Sequence, residues 1–228
     1  DMARRLRPAA ERIRHAVPDD VLGRAAELEL DNVQATLAAV DRGAFARAVE
    51  ALCDPAATVF VLSGEAEQGV AQQFLSEMSV LRHSVTSIGG NQVSLSRSLG
   101  LMEAGDVVLV IDLRRYERWL LDATGRAAAG GAQIIAITDS LLSPLAQHAM
   151  ASFVVSAGGA GPFDSHVGTL ALLNAIVAAC AGLPMRSKLR ALANCASGVT
   201  STASGLRAKS AGRTFRATVR PRDSWTAS

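Results

Sequence analysis

The sequence has few aromatic residues, few cysteines and no long uninterrupted apolar segment. Aromatic residues make up 4% of the chain, which favours helices packed on a Val/Ile-rich sheet over a sandwich or an aromatic binding platform. The cysteines Cys53, Cys180 and Cys195 are odd in number and widely spaced, which argues against a disulfide framework or a metal site. The apolar stretch at residues 170–183 contains Asn174 and is shorter than the roughly 20 residues that a membrane span requires. We therefore expect a cytoplasmic protein with reduced thiols, no metal and no insertion into a membrane.

Charge is distributed unevenly along the chain, although the formal net charge is only +2. Residues 183–228 contain nine Lys or Arg and one acid, Asp223, so residues 1–182 carry a net charge of −6. A basic tail can contact nucleic acid, but a solvated terminus is the simpler interpretation. The residues that precede the tail are expected to form an acidic folded part.

Composition also divides the chain into three segments. Residues 1–23 are Arg-rich and contain two prolines, as a linker does. Residues 191–228 have neither helical nor strand periodicity and are predicted to be a basic, disordered tail. The segment between them, residues 24–190, is predicted to be a single domain, and about 150 residues suffice for a well-buried core.

Within this domain, short apolar runs alternate with segments of helical spacing. Five strands are predicted, at residues 58–62, 84–88, 106–111, 132–138 and 153–155. Helices are predicted from Ala25 and over residues 44–52, 66–81, 116–129 and 167–180, with shorter helices ending at Leu99 and beginning after Ser143. The alternation predicts an α/β fold: a doubly wound, five-stranded parallel sheet flanked by helices, flavodoxin-like and three-layered in the Rossmann manner, with a helical lead-in.

Ligands of such sheets bind beyond the carboxyl ends of the strands, so the loops there are the candidate site. Two of these loops, after Leu62 and after Ile111, carry several charged side chains. No Gly-x-Gly-x-x-Gly motif follows any predicted strand, which argues against a dinucleotide cofactor. We expect no cofactor of any kind.

Three motifs resemble those of the SIS (sugar isomerase) domain, and in particular the C-terminal SIS domain of RpiR-type bacterial transcriptional regulators. They are Asp112-Leu-Arg-Arg-Tyr-Glu-Arg118, Thr138-Asp-Ser-Leu-Leu-Ser-Pro-Leu-Ala146 and Gly161-Pro-Phe-Asp-Ser165. The likeness extends over roughly residues 27–183. It implies a domain that binds a phosphosugar and dimerises, following a DNA-binding helix-turn-helix module. No such module is visible in this sequence, so DNA binding is implied only through a segment that these residues do not include.

The first loop departs from the family pattern. SIS domains hold a phosphate with hydroxyls and backbone N–H groups near helix N-termini, and the resemblance makes Ser63, Gly64 and Glu67 candidate ligand contacts. Glu67 stands where the family has a phosphate-binding serine, and a carboxylate there would repel phosphate. The alternative is that Glu65 and Glu67 simply cap the following helix.

The second loop also departs from the family pattern. The hydroxyl pattern of the family falls on Asp112, Arg114, Arg115 and Glu117, and either arginine could grip a phosphate or carboxylate through two hydrogen bonds. The alternative is that the arginines neutralise Asp112 and Glu117. Tyr116 could stack on a ligand or serve only in packing.

Ser143, Ser165 and His166 complete the candidate site. Ser143 keeps the family pattern but also suits an N-cap before a proline, and His166 could equally be structural. We expect the effector-sensing and dimerisation domain of an RpiR-like regulator, forming a homodimer or tetramer and binding a small phosphosugar or related anionic carbohydrate derivative. No catalytic residue is assigned. The alternatives are a phosphosugar isomerase using Glu67, Glu117 or His166, and a dimerisation scaffold without a ligand.

Overall fold

The computed structural model describes residues 20–89 and 92–183. The predicted tail at residues 191–228 and the first 19 residues of the predicted linker lie outside this described part. Its strands are β1 (Val59–Ser63), β2 (Val85–Ser87), β3 (Val107–Ile111), β4 (Gln133–Thr138) and β5 (Ala149–Val154). Its α-helices are α1 (Val21–Ala38), α2 (Arg42–Cys53), α3 (Gln68–Leu81), α4 (Gln92–Gly100), α5 (Arg118–Ala129) and α6 (Val167–Gly182).

The five strands form one parallel sheet in the order β2-β1-β3-β4-β5. The chain moves from β1 to one edge and then crosses to β3, so the order reverses between β1 and β3. In doubly wound sheets this reversal opens a crevice at the carboxyl ends of the strands, where ligands bind. The predicted fold is confirmed, and the two charged loops follow the two strands beside the crevice.

The central strands β1, β3 and β4 are buried on both faces of the sheet, which is why they are continuous apolar runs. Alternate residues of each strand point to opposite faces. One core contains Val61, Leu109 and Ile137 with apolar residues of α2, α3 and α6. The other contains Val110 with residues of α4 and α5. The sheet therefore holds the ends of β1 and β3 rigidly between two layers of helices.

The helix boundaries differ from the predicted ones where side chains cap the ends. Helix α1 begins at Val21 and not near Ala25, because the Asp20 carboxylate accepts a hydrogen bond from the N–H of Gly23 at 2.8 Å. Strand β5 begins at Ala149, four residues before its predicted start, since its first residues lack the β-branched side chains that identify strands. After Ser143 the chain forms only a short 3-10 helix, Pro144–His148.

Helix α1 is fastened to the loop between β5 and α6 by buried polar side chains. The Asn32 amide donates to the carbonyl of Gly158 at 2.7 Å and accepts from its N–H at 3.0 Å. The Thr36 hydroxyl accepts from the N–H of Ser156 at 2.9 Å. These bonds join the helical lead-in to the loop that follows β5.

Candidate functional site

The candidate site is built on the loops that follow β1, β3 and β4 and on the segment that leads into α6. The loop after β1 continues the ladder, because the N–H of Gly64 donates to the carbonyl of Ile111 at 2.9 Å. The N–H of Asp112 donates in turn to the carbonyl of Ile137 at 3.2 Å. The first residues of both charged loops are thus held by the sheet itself.

A carboxylate cluster, formed by Glu65, Glu67, Asp112 and Glu117, occupies the end of the sheet between β1 and β3. Glu67 is only 2% exposed and Asp112 is fully buried. Among the described residues, Glu67 Oε2 and Asp112 Oδ1 have no hydrogen-bond partner. A methyl group on Gly64 would lie 2.5 Å from the former oxygen and 3.1 Å from the latter. Glycine is therefore required at this turn because two buried carboxylates fill the space beside it.

The buried pair binds protons more tightly than ordinary carboxyl groups. Burial, with a further contribution from the charge of Asp112, raises the pKa of Glu67 to about 7. Burial also raises the pKa of Asp112 to about 6, although a hydrogen bond from the N–H of Glu117 opposes the shift. Close to neutral pH the pair is therefore partly protonated.

The remaining two acids of the cluster join the loops. Glu117 accepts hydrogen bonds from the N–H of Glu65 at 2.9 Å and from the indole N–H of Trp119. The interpretation that Glu65 and Glu67 cap the helix is wrong. Helix α3 begins at Gln68, and Glu67 stands at its N-cap without a side-chain hydrogen bond to it. Burial between the two loops, and not helix capping, determines where the Glu67 carboxylate lies.

An arginine cluster joins the second loop to two others and contains Arg114 and Tyr116 of the second loop, Asp139 after β4 and Asp164 before α6. Arg114 Nη1 is 3.0 Å from Asp164 Oδ1, and its Nε is 3.8 Å from Asp139 Oδ2. The Tyr116 hydroxyl donates to Asp139 Oδ1 at 2.6 Å. The ion pairs of Arg114 reach acids of two other loops, whereas the charge of Arg115 opposes the rise in the pKa of Asp112, as expected if this arginine neutralises an acid of its own loop. Arg115, by contrast, is exposed.

The backbone of the second loop has an unusual conformation, which determines the directions of the Arg114 and Tyr116 side chains. Arg114 has a φ of 66° and Tyr116 a φ of 46°, and both values lie in the left-handed region that side chains other than glycine rarely occupy. Helix α5 accordingly begins at Arg118, two residues after its predicted start. Burial raises the pKa of Tyr116, and its bond to Asp139 adds to the shift. Strain of this kind is typical of functional loops.

The hydroxyls of Ser143 and Ser165 cap the elements that follow them. Ser143 accepts from the N–H of Leu145 at 3.3 Å, and Ser165 accepts from the N–H of Val167 at 3.2 Å while donating to Glu29. His166 is half-buried, and desolvation lowers its pKa so that the imidazole is neutral near pH 7. Its Nδ1 has no partner among the described residues. The hydrogen bond from the N–H of Leu145 confirms the capping alternative for Ser143.

A cleft of about 840 Å³ opens beside the carboxylate cluster. Its polar lining includes Ser63, Glu65, Gln68, Gln72, Glu117 and Trp119. The cleft therefore joins the first loop to the start of α5. No cluster of three or more potential metal ligands occurs in residues 20–89 and 92–183. Within the same ranges, no helix combines the length and apolar character that a membrane span requires.

Sequence reasoning did not assign Asp139, Asp164, Glu29 or Trp119 to the site. Asp139 and Asp164 belong to motifs that carry the family resemblance. Their position after the ends of strands was the sequence signal that could have assigned them to the site. Glu29 lies on the lead-in helix and reaches the site only through tertiary packing. Such a contact has no local sequence pattern.

Comparison with known proteins places the fold in a family. A family model for the SIS domain matches residues 55–179. The chain belongs to the SIS-domain family. A comparison of this SIS-domain chain with curated proteins found no match.

Solved structures of two functional kinds share the SIS fold. The sugar isomerase domain of an RpiR transcription factor from Sphaerobacter thermophilus is 27% identical, with coverage of 75% of this chain and 97% of that one and a TM-score of 0.68. The NanR protein of Vibrio vulnificus, complexed with ManNAc-6P, is 19% identical, with coverage of 79% and 70% and a TM-score of 0.67. A phosphoheptose isomerase from Francisella tularensis is 15% identical, with coverage of 71% and 96% and a TM-score of 0.58. The resemblance to RpiR-type SIS domains is confirmed, while the last two likenesses show the fold alone.

Proposed function

We propose that this SIS domain is the effector-sensing and dimerising half of an RpiR-like transcriptional regulator. Its effector is a small phosphosugar or related anionic carbohydrate derivative. The 27% identity to an RpiR transcription factor supports the regulator, and the sugar phosphate bound to the NanR protein supports the effector class. The exposed Arg115 and the half-buried Arg114 supply the cationic side of the site. DNA binding would belong to a helix-turn-helix module outside these residues.

A continuous set of contacts from the second loop to α1 carries the proposal. Arg114 pairs with Asp164, the adjacent Ser165 donates to Glu29 of α1, and Asn32 of α1 holds the same loop at Gly158. A ligand that repositions Arg114 would thus act on the helix that leads toward the N-terminus. The effector would bind one dimer geometry better than another and so shift their populations.

The isomerase is the second candidate, because a carboxyl group with a pKa of about 7, such as that of Glu67, suits general acid–base catalysis. Its 2% exposure argues against this role, since substrate could reach the carboxyl group only after the loop had moved. Absence of turnover of aldose and ketose phosphates would support the sensor. Turnover that Glu67→Gln abolishes would establish the enzyme.

Thermal unfolding in the presence of a sugar-phosphate panel tests the sensor. We expect one or more members to raise the melting temperature. A ligand at a hundredfold excess over its Kd adds about 2.7 kcal/mol to the free energy of unfolding. Arg114→Ala should remove the rise, measured against the unliganded variant, whereas Arg47→Ala on the remote exposed face of α2 should keep it. If no member of the panel raises the melting temperature, the result favours the alternative of a dimerisation scaffold without a ligand.

A further inference from the structure

Two cysteines meet in the core although they are far apart in the sequence. Cys53 is the last residue of α2 and is half-buried, whereas Cys180 lies in α6 and is fully buried. Both contact the apolar core in which α2 and α6 pack on one face of the sheet. The Cys180 thiol donates a hydrogen bond to the Cys53 sulfur. The two side chains therefore form a thiol pair, and one member of the pair is accessible to a small solute.

A buried guanidinium group lies beside this pair. The Arg82 side chain donates to the carbonyls of Leu52 and Ala57, which precede and follow Cys53 in the chain. Arg82 is only 6% exposed, and its Nε has no hydrogen-bond partner among the described residues. The carbonyls at the end of a helix carry a partial negative charge, which disfavours an anion there. Because Arg82 places a positive charge on these carbonyls, it offsets that effect at the end of α2.

The two thiols consequently differ in their tendency to ionise. The hydrogen bond from Cys180 and the charge of Arg82 lower the pKa of Cys53, although burial opposes the shift. The same hydrogen bond and burial raise the pKa of Cys180. Since the thiolate is the nucleophilic form of cysteine, Cys53 is the member that reacts first. An accessible thiol of lowered pKa beside a second thiol is the arrangement found in redox-sensing cysteines.

We propose that Cys53 and Cys180 form a peroxide-sensitive site that closes to a reversible disulfide within the chain. The Cys53 thiolate attacks one oxygen of hydrogen peroxide, and the O–O bond breaks. The sulfur is oxidised to a sulfenic acid, and the hydroxide that leaves takes a proton from solvent. The Cys180 sulfur then attacks the Cys53 sulfur. As the S–S bond forms, the S–O bond breaks and the hydroxyl leaves as water with the Cys180 proton.

The inference does not depend on the proposed sensing function, and peptide mapping tests it. The full chain carrying Cys195→Ser, which removes the third cysteine, is reduced, freed of reductant and exposed to hydrogen peroxide. We expect a peptide containing Cys53 linked to one containing Cys180, with the loss of both free thiols. Dithiothreitol should restore both thiols, because a disulfide is reduced by thiol exchange.

Single substitutions in the same Cys195→Ser chain separate the two steps. With Cys180→Ser, peroxide should leave Cys53 as a sulfenic acid, which dimedone traps. With Cys53→Ser, Cys180 should remain a thiol under the same exposure, since it is fully buried. A disulfide that forms only between chains, or oxidation of Cys53 without a link to Cys180 in the chain that retains both, would overturn the inference.

The donated hydrogen bond is tested by a matched pair of variants. A serine hydroxyl at position 180 can still donate to the Cys53 thiolate, whereas the methyl group of Cys180→Ala cannot. Loss of this bond should reduce the thiolate fraction at pH 7 about tenfold, while a thiolate of higher pKa is intrinsically more nucleophilic. Alkylation of Cys53 by iodoacetamide should therefore be about threefold slower in Cys180→Ala than in Cys180→Ser. Equal rates would contradict activation of Cys53 by its partner and would overturn the assignment of their roles.

Discussion

The carboxylate cluster and the arginine cluster lie on neighbouring loops of one sheet edge, but their charges are arranged in opposite ways. In the arginine cluster Arg114 contacts two acids, and Tyr116 donates to one of them, Asp139. In the carboxylate cluster Glu67 and Asp112 are buried beside each other, with one oxygen each left without a partner among the described residues. The first arrangement stabilises the loops, whereas the second costs stability at neutral pH.

Unfavourable charge is retained in proteins where function requires it. The two clusters therefore contribute differently to the stability of the loops. The arginine cluster connects the second loop to the segment before α6 and through Ser165 to Glu29 of α1. The carboxylate cluster gives the adjacent cleft its negative character. Removing a charge from each cluster should consequently have opposite effects on stability.

The largest effect is expected from Gly64→Ala beside the carboxylate cluster. The new methyl would lie 2.5 Å from Glu67 Oε2, so the carboxylate, which is only 2% exposed, would have to shift. We expect a loss of about 2–3 kcal/mol in the free energy of unfolding, as for other overpacked sites. Urea unfolding measures it, with Gly69→Ala as the matched control because no atom lies within 4 Å of its added methyl. Equal effects of the two substitutions would show that the carboxylates do not fill the turn.

Glu67→Gln should stabilise the domain, and the gain should depend on pH. The folded-state pKa of Glu67 is raised to about 7 from an ordinary value of 4.5, so the folded state binds more protons between these values. The contribution of Glu67 to stability is thus fully present below about pH 4.5 and is lost as the pH rises through 7. Replacing the titrating carboxyl group should raise the free energy of unfolding by on the order of 2 kcal/mol at pH 8 and by little at pH 4.5.

Unfolding of Glu67→Gln and the unsubstituted chain at several pH values measures this difference. Glu50→Gln, at an exposed carboxylate of α2, provides the control. A constant difference between the Glu67 variant and the parent would contradict the buried, raised pKa.

Sequence patterns sufficed for the fold but only in part for the site. The parallel sheet and both ligand-facing loops follow from strand periodicity and βα alternation, which are local properties of the chain. Burial of Glu67 is not local, because it depends on the neighbouring loop packing over it. The pairing of Arg114 with Asp164 is likewise tertiary and joins residues 50 positions apart. Charge in a loop was therefore predictable, whereas the partner of each charge was not.

The smallest effect is expected in the arginine cluster, from Arg114→Gln. The substitution removes a partly buried ion pair with Asp164 but keeps much of the side-chain length, so we expect a loss of about 1 kcal/mol. Arg115→Gln is the matched control in the same loop, because Arg115 is exposed and should change stability by less than about 0.5 kcal/mol. The difference should shrink in 1 M NaCl, where the Debye length falls to about 3 Å.

Since the two arginines are adjacent in sequence, equal losses would mean that the ion pairs to Asp139 and Asp164 do not hold the loop. A larger loss for Arg114 alone would support the connection from this loop to α1.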